Sequence, residues 1–172
     1  PVQTAQSEGT QTVYNPAVAV DPATGDVLLV WCLRSGTSAA IRRGDADPPR
    51  VYVQRSQDAG ATWSPKREIT SQARPPWMRM YGTGPGHAVV LAHGPHAGRI
   101  VVPCWHTRTP TGADTGTETH YYGVHVIYSD DGGTTWALGA VSSTPDGQLN
   151  ENETAAAELP DGRLYFSARC LA

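Results

Sequence analysis

The chain has 172 residues, enough to bury one hydrophobic core. Its formal charge is −3, from 13 basic and 16 acidic residues with no run of either sign, which removes the electrostatic case for nucleic acid or a membrane surface as partner. Its 18 glycines and 14 prolines make 32 of 172 residues, well above the roughly 12% of average proteins, so a helix bundle is excluded and many short strands are predicted.

Taken in chain order, the first clear element is DPATGDVLLVW at Asp21 to Trp31, a turn followed by an apolar strand. The longest apolar run, Val27 to Leu33, has seven residues where a membrane helix needs about twenty, so no membrane insertion is expected. Next comes SQDAGATW at Ser56 to Trp63. A second turn and strand, GPHAGRIVVPCW, spans Gly94 to Trp105, and SDDGGTTW returns at Ser129 to Trp136, 73 residues after its first copy. Gly25 and Gly98 share the same 73-residue offset, so the repeat is a whole unit of hairpin, loop, strand, turn and Trp. A third copy opens at Leu159 with PDGRLYF. Repeated all-strand units of this size predict an all-β fold, with about two and a half blades of a propeller at residues 14–80, 81–148 and 149–172. The chain is expected to be a fragment of one propeller domain.

Each SxDxGxTW segment, an Asp-box, reads as a hairpin turn that caps itself. Asp58 and Asp131 can accept amides across the turn, Gly60 and Gly133 supply positive φ, and Thr62 and Thr135 are expected to begin the outgoing strand. Ser56 and Ser129 open the two boxes, and Trp63 and Trp136 are expected to bury their rings between neighbouring sheets. These are scaffold residues. The further acids of a calcium loop are missing. ENETAAAEL, at Glu151 to Leu159, favours helix on propensity, but its register before a Pro-Asp-Gly turn calls for a strand.

Seven residues beyond the turn glycines Gly25, Gly98 and Gly162 stand Cys32, Trp105 and Arg169, equivalent positions that together make a floor and clamp for a polar ligand. Cys32, Cys104 and Cys170 lack CxxC spacing and read as buried thiols. His87, His93, His96, His106, His120 and His125 show no metal-binding spacing, and no metal or other cofactor is expected. Gly82, Gly84 and Gly86 lack the strand-then-helix setting of a dinucleotide fingerprint.

The paired Asp-boxes, GPGHAVVL at Gly84 to Leu91, GRIVVPCW at Gly98 to Trp105, and ENETAAAELPDGRLYFSAR, with Glu153 sixteen residues before Arg169, resemble the central part of an exo-α-sialidase. The resemblance implies a six-bladed β-propeller that hydrolyses terminal sialic acids from glycoconjugates with retention. It implies that Glu153 activates a tyrosine nucleophile and that Arg169 is one of three arginines gripping the sialic acid carboxylate. Glu151 and Glu158 are rivals for the glutamate role, but only Glu153 has the family's spacing. By the same resemblance Asn15, with Tyr14 beside it, falls near the N-acetyl pocket, while Trp105 and Thr107 fall where many members face the glycerol tail or aglycone with tyrosine. The family's first arginine and acid/base aspartate are expected before Pro1, and its third arginine and tyrosine after Ala172; Asp45, Asp47, Asp114, Tyr121 and Tyr122 are not assigned to those roles. The expected partners are sialylated glycans, in a secreted or cell-surface setting. Two other readings stay open: a non-catalytic Asp-box propeller that binds glycans, and a propeller glycosidase for another sugar. A sequon at Asn152 would place a glycan on the proposed site.

Overall fold

The computed structural model describes residues 11–109, 122–142 and 151–170, and over these the chain is mainly antiparallel strand. The first sheet holds β1 (Gln11–Val20), β2 (Val27–Ser35), β3 (Arg50–Ser56) and β4 (Arg67–Glu68). Of two short helices, α1 (Ser38–Arg43) lies between β2 and β3 and α2 (Thr70–Ala73) follows β4. The second sheet holds β5 (Met78–Thr83), β7 (Val89–Val90), β8 (Ile100–Arg108), β9 (Tyr122–Ser129) and β10 (Ala137–Val141). Between β5 and β7, β6 (Gly86–His87) crosses over to pair with β1. A third, two-stranded sheet pairs β11 (Glu151–Glu158) with β12 (Leu164–Cys170). No helix among the described residues is long and apolar enough to cross a membrane.

The first strands of the three sheets run side by side in one direction. Ala17 of β1 pairs with Gly86 in parallel, the Gly84 carbonyl accepts the Thr154 amide at 3.1 Å, and the His87 ring lies 3.2 Å from the Ala156 carbonyl. That arrangement defines two ends. β1, β5 and β11 start at the upper end; the turns that follow them and both Asp-boxes lie at the lower end, as the pairings Val27–Ser56, Ile100–Ser129 and Glu158–Leu164 show. Alternating side chains fill the space between the sheets. Ala17, Leu28, Val30 and Cys32 of the first sheet meet Tyr81, Ile100, Val102, Cys104 and Ile127 of the second in one buried cluster.

Glu151–Glu158 is a strand despite its alanines. From Thr154 onward the strand alternates, with Thr154 and Ala156 buried and Ala155 and Ala157 exposed, so cross-strand pairing and packing on the second sheet outweigh helix propensity. Cys32 and Cys104 are buried, and burial pushes the Cys32 thiol up to about 12 and Cys104 further still. Cys170 corrects the expectation of three buried thiols: it is exposed, at the end of an edge strand that no described strand covers on its far side. Asn152 is buried, with its Oδ1 accepting the Glu153 amide at 2.7 Å, so it is not available to carry a glycan.

The two Asp-boxes have the same internal bonding. Asp58 Oδ1 accepts the Thr62 amide at 2.7 Å and its Oδ2 accepts the Thr62 hydroxyl at 2.5 Å; Asp131 does the same with Thr135 at 2.8 and 2.6 Å. These bonds hold both carboxylates down to about 2. Ser56 and Ser129 hydroxyls accept the amides of Gly60 and Gly133 at 2.8 Å, and each tryptophan indole donates back to its glycine carbonyl. Thr62 and Thr135 therefore sit inside the turn. Their amides and hydroxyls are committed to the carboxylate, and the outgoing strands begin later, at Arg67 and Ala137.

The two tryptophans differ from the expectation of equal burial. Trp136 is buried in the cluster between the first and second sheets. Trp63 is only half-buried, because the equivalent face of the first sheet has no neighbouring sheet among the described residues. Across the lower seam, Arg55 bonds both Asp26, at 2.5 Å, and the Gly132 carbonyl, and Arg67 bonds the Gly133 carbonyl at 2.6 Å. The first sheet thereby holds the second sheet's Asp-box. Gly133, at φ 88°, also lies so close to Leu28 that a Cβ would collide with it.

Ser129→Ala removes the acceptor for the buried Gly133 amide. It is expected to lower unfolding stability by about 1–2 kcal/mol with no change at the upper end, a result that denaturant titration of the complete protein will check.

Candidate functional site

The inner strand of every sheet carries a β-bulge at its upper end. Asn15 and Pro16 stand opposite Trp31, Arg79 and Met80 opposite Thr107, and Asn152 and Glu153 opposite Arg169. A bulge sets two residues against one and re-aims the side chains around it. In the third sheet the consequence is direct. Glu153 Oε2 lies 3.0 Å from Arg169 Nη1, with both side chains partly open to solvent. Glu151, two residues earlier, turns toward the second sheet. It lines a cavity of about 250 Å³ with Val124, Val126, Ser142 and Phe166, and its Oε2 is buried without a hydrogen-bond partner. Glu158 is remote: five residues of strand, roughly 17 Å, separate it from Glu153. At the lower end it accepts the amides of Ala92 at 2.6 Å and His93 at 3.1 Å, which hold it below the usual carboxylate range. Of the three glutamates, only Glu153 faces an arginine at the upper end.

Asn15 adopts φ 50°, a left-handed conformation that asparagine tolerates better than most residues. Its carbonyl accepts the buried Thr83 hydroxyl, while its side-chain Nδ2 is buried with no acceptor. Tyr14 is anchored by its hydroxyl, which donates to the Tyr81 carbonyl at 2.5 Å; burial pushes that phenol well above 10. Trp105 is buried over Gly82, where any Cβ would strike the indole, and its ring lies 6.3 Å from that of Tyr122. Its Nε1 has no acceptor either. Thr107 is not presented at the upper surface: it is fully buried, and its hydroxyl accepts the Met80 amide at 3.0 Å within the bulge. Cys32, on the face toward the second sheet, is likewise fully buried, 3.8 Å from the Thr83 hydroxyl. Arg169 is the exposed member of the three positions matched by turn spacing.

Two features of the upper end were missed by the sequence reading. One is α1, capped by the Thr37 hydroxyl on the Ala40 amide and closed by Gly44 at φ 95°; it reaches over the second sheet, where Ile41 packs with Met80 and Trp105. The Thr37 and Gly44 caps were the legible signal for it. The other is a buried pair of histidines on β8 and β9, one of them between Trp105 and Thr107 in the chain. His106 and His125 share a hydrogen bond between their Nδ1 atoms at 3.0 Å, with Trp77 and Tyr81 edge-on to them and both Nε2 atoms unpartnered. Burial, then nearby Arg108, pushes His106 down to about 3; burial, then His106, pushes His125 well down. Among the described residues no group of three or more His, Cys, Asp or Glu side chains is arranged to hold a metal ion. Asp114, His120 and Tyr121 lie outside the described residues.

The BNR repeat-like domain model matches residues 1–171, and the chain belongs to that family. It is 32% identical over 161 residues to a sialidase of Micromonospora viridifaciens, covering 90% of this chain and 23% of that protein. It is 30% identical over 168 residues to human sialidase-4, covering 90% of this chain and 32% of that one. The chain thus spans about a quarter to a third of these relatives' length. Among solved structures, the Hadza microbial sialidase Hz136 superposes with a TM-score of 0.73 at 24% identity, over 96% of this chain and 30% of that one. An intramolecular trans-sialidase from Ruminococcus gnavus, in complex with oseltamivir carboxylate, superposes with a TM-score of 0.72 at 16% identity, over 97% of this chain and 51% of that one. The fold is therefore a section of a sialidase-type β-propeller, and no closed ring forms among the described residues.

The histidine pair makes stability depend on pH. An unfolded histidine takes a proton near pH 6.5, whereas the folded pair resists protonation, so its contribution is complete above that pH and is lost progressively below it. Between pH 7.5 and 5 the loss is expected to be roughly 1–3 kcal/mol. Denaturant unfolding of the complete protein at both values, compared with an H106Q/H125Q double variant, should show the slope flattened in the variant.

Proposed function

We propose that this chain is the part of a retaining exo-α-sialidase that supplies the catalytic glutamate and one substrate-binding arginine. The observation that carries the reading is the Glu153–Arg169 pair, set by a bulge at the upper end of a BNR-family propeller section whose relatives are sialidases. A sialoside bears a carboxylate on its anomeric carbon, which repels an anionic nucleophile; a neutral phenol that loses its proton during attack avoids that repulsion. Glu153 accepts the phenolic proton of a tyrosine supplied by another part of the protein. The phenolic oxygen bonds the anomeric carbon as the aglycone leaves, and water later releases the sugar.

Arg169 contributes binding. Nη1 meets Glu153, and the side chain is about half exposed, which leaves its planar fork room to bond both oxygens of the substrate carboxylate. Tyr14 and Asn15 are the residues proposed for the N-acyl end of the sugar, and Trp105 for its polyol tail. Thr107 is proposed to act indirectly, by fixing the bulge of β5 next to Trp105. Terminal sialic acids on glycoconjugates are the proposed substrates.

In the complete protein, Glu153→Gln is expected to lower kcat on a sialoside by at least about a hundredfold while a sialic acid analogue still binds within a few-fold of wild type. Arg169→Lys, which keeps charge but loses the fork, is expected to weaken that binding by roughly tenfold to a hundredfold. Normal turnover by Glu153→Gln together with loss in Glu151→Gln would place the base on the wrong glutamate. Binding without turnover by the wild type would mark a glycan-binding module instead.

A further inference from the structure

Arg34 and Arg42 stand beside the candidate site with no carboxylate partner among the described residues. Arg34 holds its guanidinium 5.5 Å over the Tyr14 ring and donates to the Ser38 hydroxyl; Arg42 lies 5.8 Å over the Tyr122 ring and donates to the Tyr122 hydroxyl. The contrast with Arg43 is informative, since that neighbour is neutralised by Asp45 at 2.9 Å. Tyr14 and Tyr122 both pack against the cluster of Ile41, Met80 and Trp105, so the two arginines bracket one aromatic group at the upper end. Around that group, Arg34 Nε, Arg42 Nε, Trp105 Nε1 and Asn15 Nδ2 are all buried and lack acceptors. Each of these four atoms is a donor, and two belong to guanidinium groups. A buried donor without an acceptor is costly, and a set consisting only of donors is complementary to an anion.

The support for the group is fixed. Arg79 pins the α1 loop from below by donating to the Ile41 and Ala46 carbonyls at 3.0 and 2.8 Å. The arginines are thereby pre-positioned and need little ordering when a ligand arrives.

We infer that the α1 loop is a second anion-recognition point, separate from Arg169, which selects glycans carrying a further negative group besides the sialic acid carboxylate gripped at the centre. The inference rests on the sialidase reading. The shared chemistry is an oxyanion, supplied either by the carboxylate of a second sialic acid or by a sulfate ester, and Arg42 is its main contact.

The test uses the complete protein and three substrates: a sialoside on a neutral disaccharide, the same sialoside with a second sialic acid, and the same sialoside with a sulfate ester. Wild type is expected to prefer at least one doubly charged substrate in kcat/KM. Arg42→Gln should reduce that preference by about tenfold through KM, and Arg42→Lys should retain most of it, which a purely structural role would not produce. The arm that responds identifies the anion. Absence of a preference in the wild type, or an equal loss on all three substrates in Arg42→Gln, overturns the inference. If none of the three is turned over, the sialidase reading fails on its own. Equilibrium binding of the same three glycans then decides: an Arg42-dependent preference for a doubly charged glycan supports the inference, and equal binding overturns it.

Discussion

The upper end of the molecule depends on one local irregularity repeated three times. A regular strand alternates its side chains strictly, so neighbours two apart share a face and a carboxylate follows whichever face its register dictates. The bulges at Asn15–Pro16, Arg79–Met80 and Asn152–Glu153 break that alternation where the inner strands begin. Without the third bulge, Glu151 and Glu153 would project to the same side. With it, Glu151 points into the seam with the second sheet and Glu153 meets Arg169. The ladder below each bulge is regular and keeps its apolar residues in the core.

The lower end anchors this arrangement. Each Asp-box closes its own turn through the aspartate and serine, and the second is also held by Arg55 and Arg67 of the preceding sheet. The Gly84–His87 segment links the inner strands of all three sheets, pairing with β1 on one side and bonding β11 on the other. Asn15 and Glu153 are thus fixed relative to each other through a short backbone path. A rigid scaffold of this kind is what positions reactive groups for repeated chemistry.

Much of this was legible in the residues. The 73-residue repeat, the turn glycines and the Asp-box spacing marked an all-β chain and located the two turn structures, and register overruled the helix propensity of the Glu151–Leu159 segment. Other features were not legible for physical reasons. A bulge adds one residue to a pairing and leaves no compositional mark: turn spacing set Cys32, Trp105 and Arg169 together, whereas the bulges oppose Trp31, Thr107 and Arg169, and Cys32 and Trp105 are buried. The burial of Thr107 follows from a hydrogen bond to Met80, 27 residues away, and the His106–His125 pair from strands 19 residues apart. α1 is six residues long, too short for apolar periodicity to reveal, and only its caps could have announced it.

The central claim is that the upper end, with Arg169 at its centre, receives the carboxylate of a sialic acid. A crystal structure of the complete protein with sialic acid bound tests it most directly. The account predicts the sugar carboxylate within hydrogen-bond distance of two Arg169 nitrogens, with its N-acyl group and polyol tail toward Asn15 and Trp105. Sugar bound at the Asp-box end, or in the upper end with its carboxylate turned away from Arg169, would contradict it.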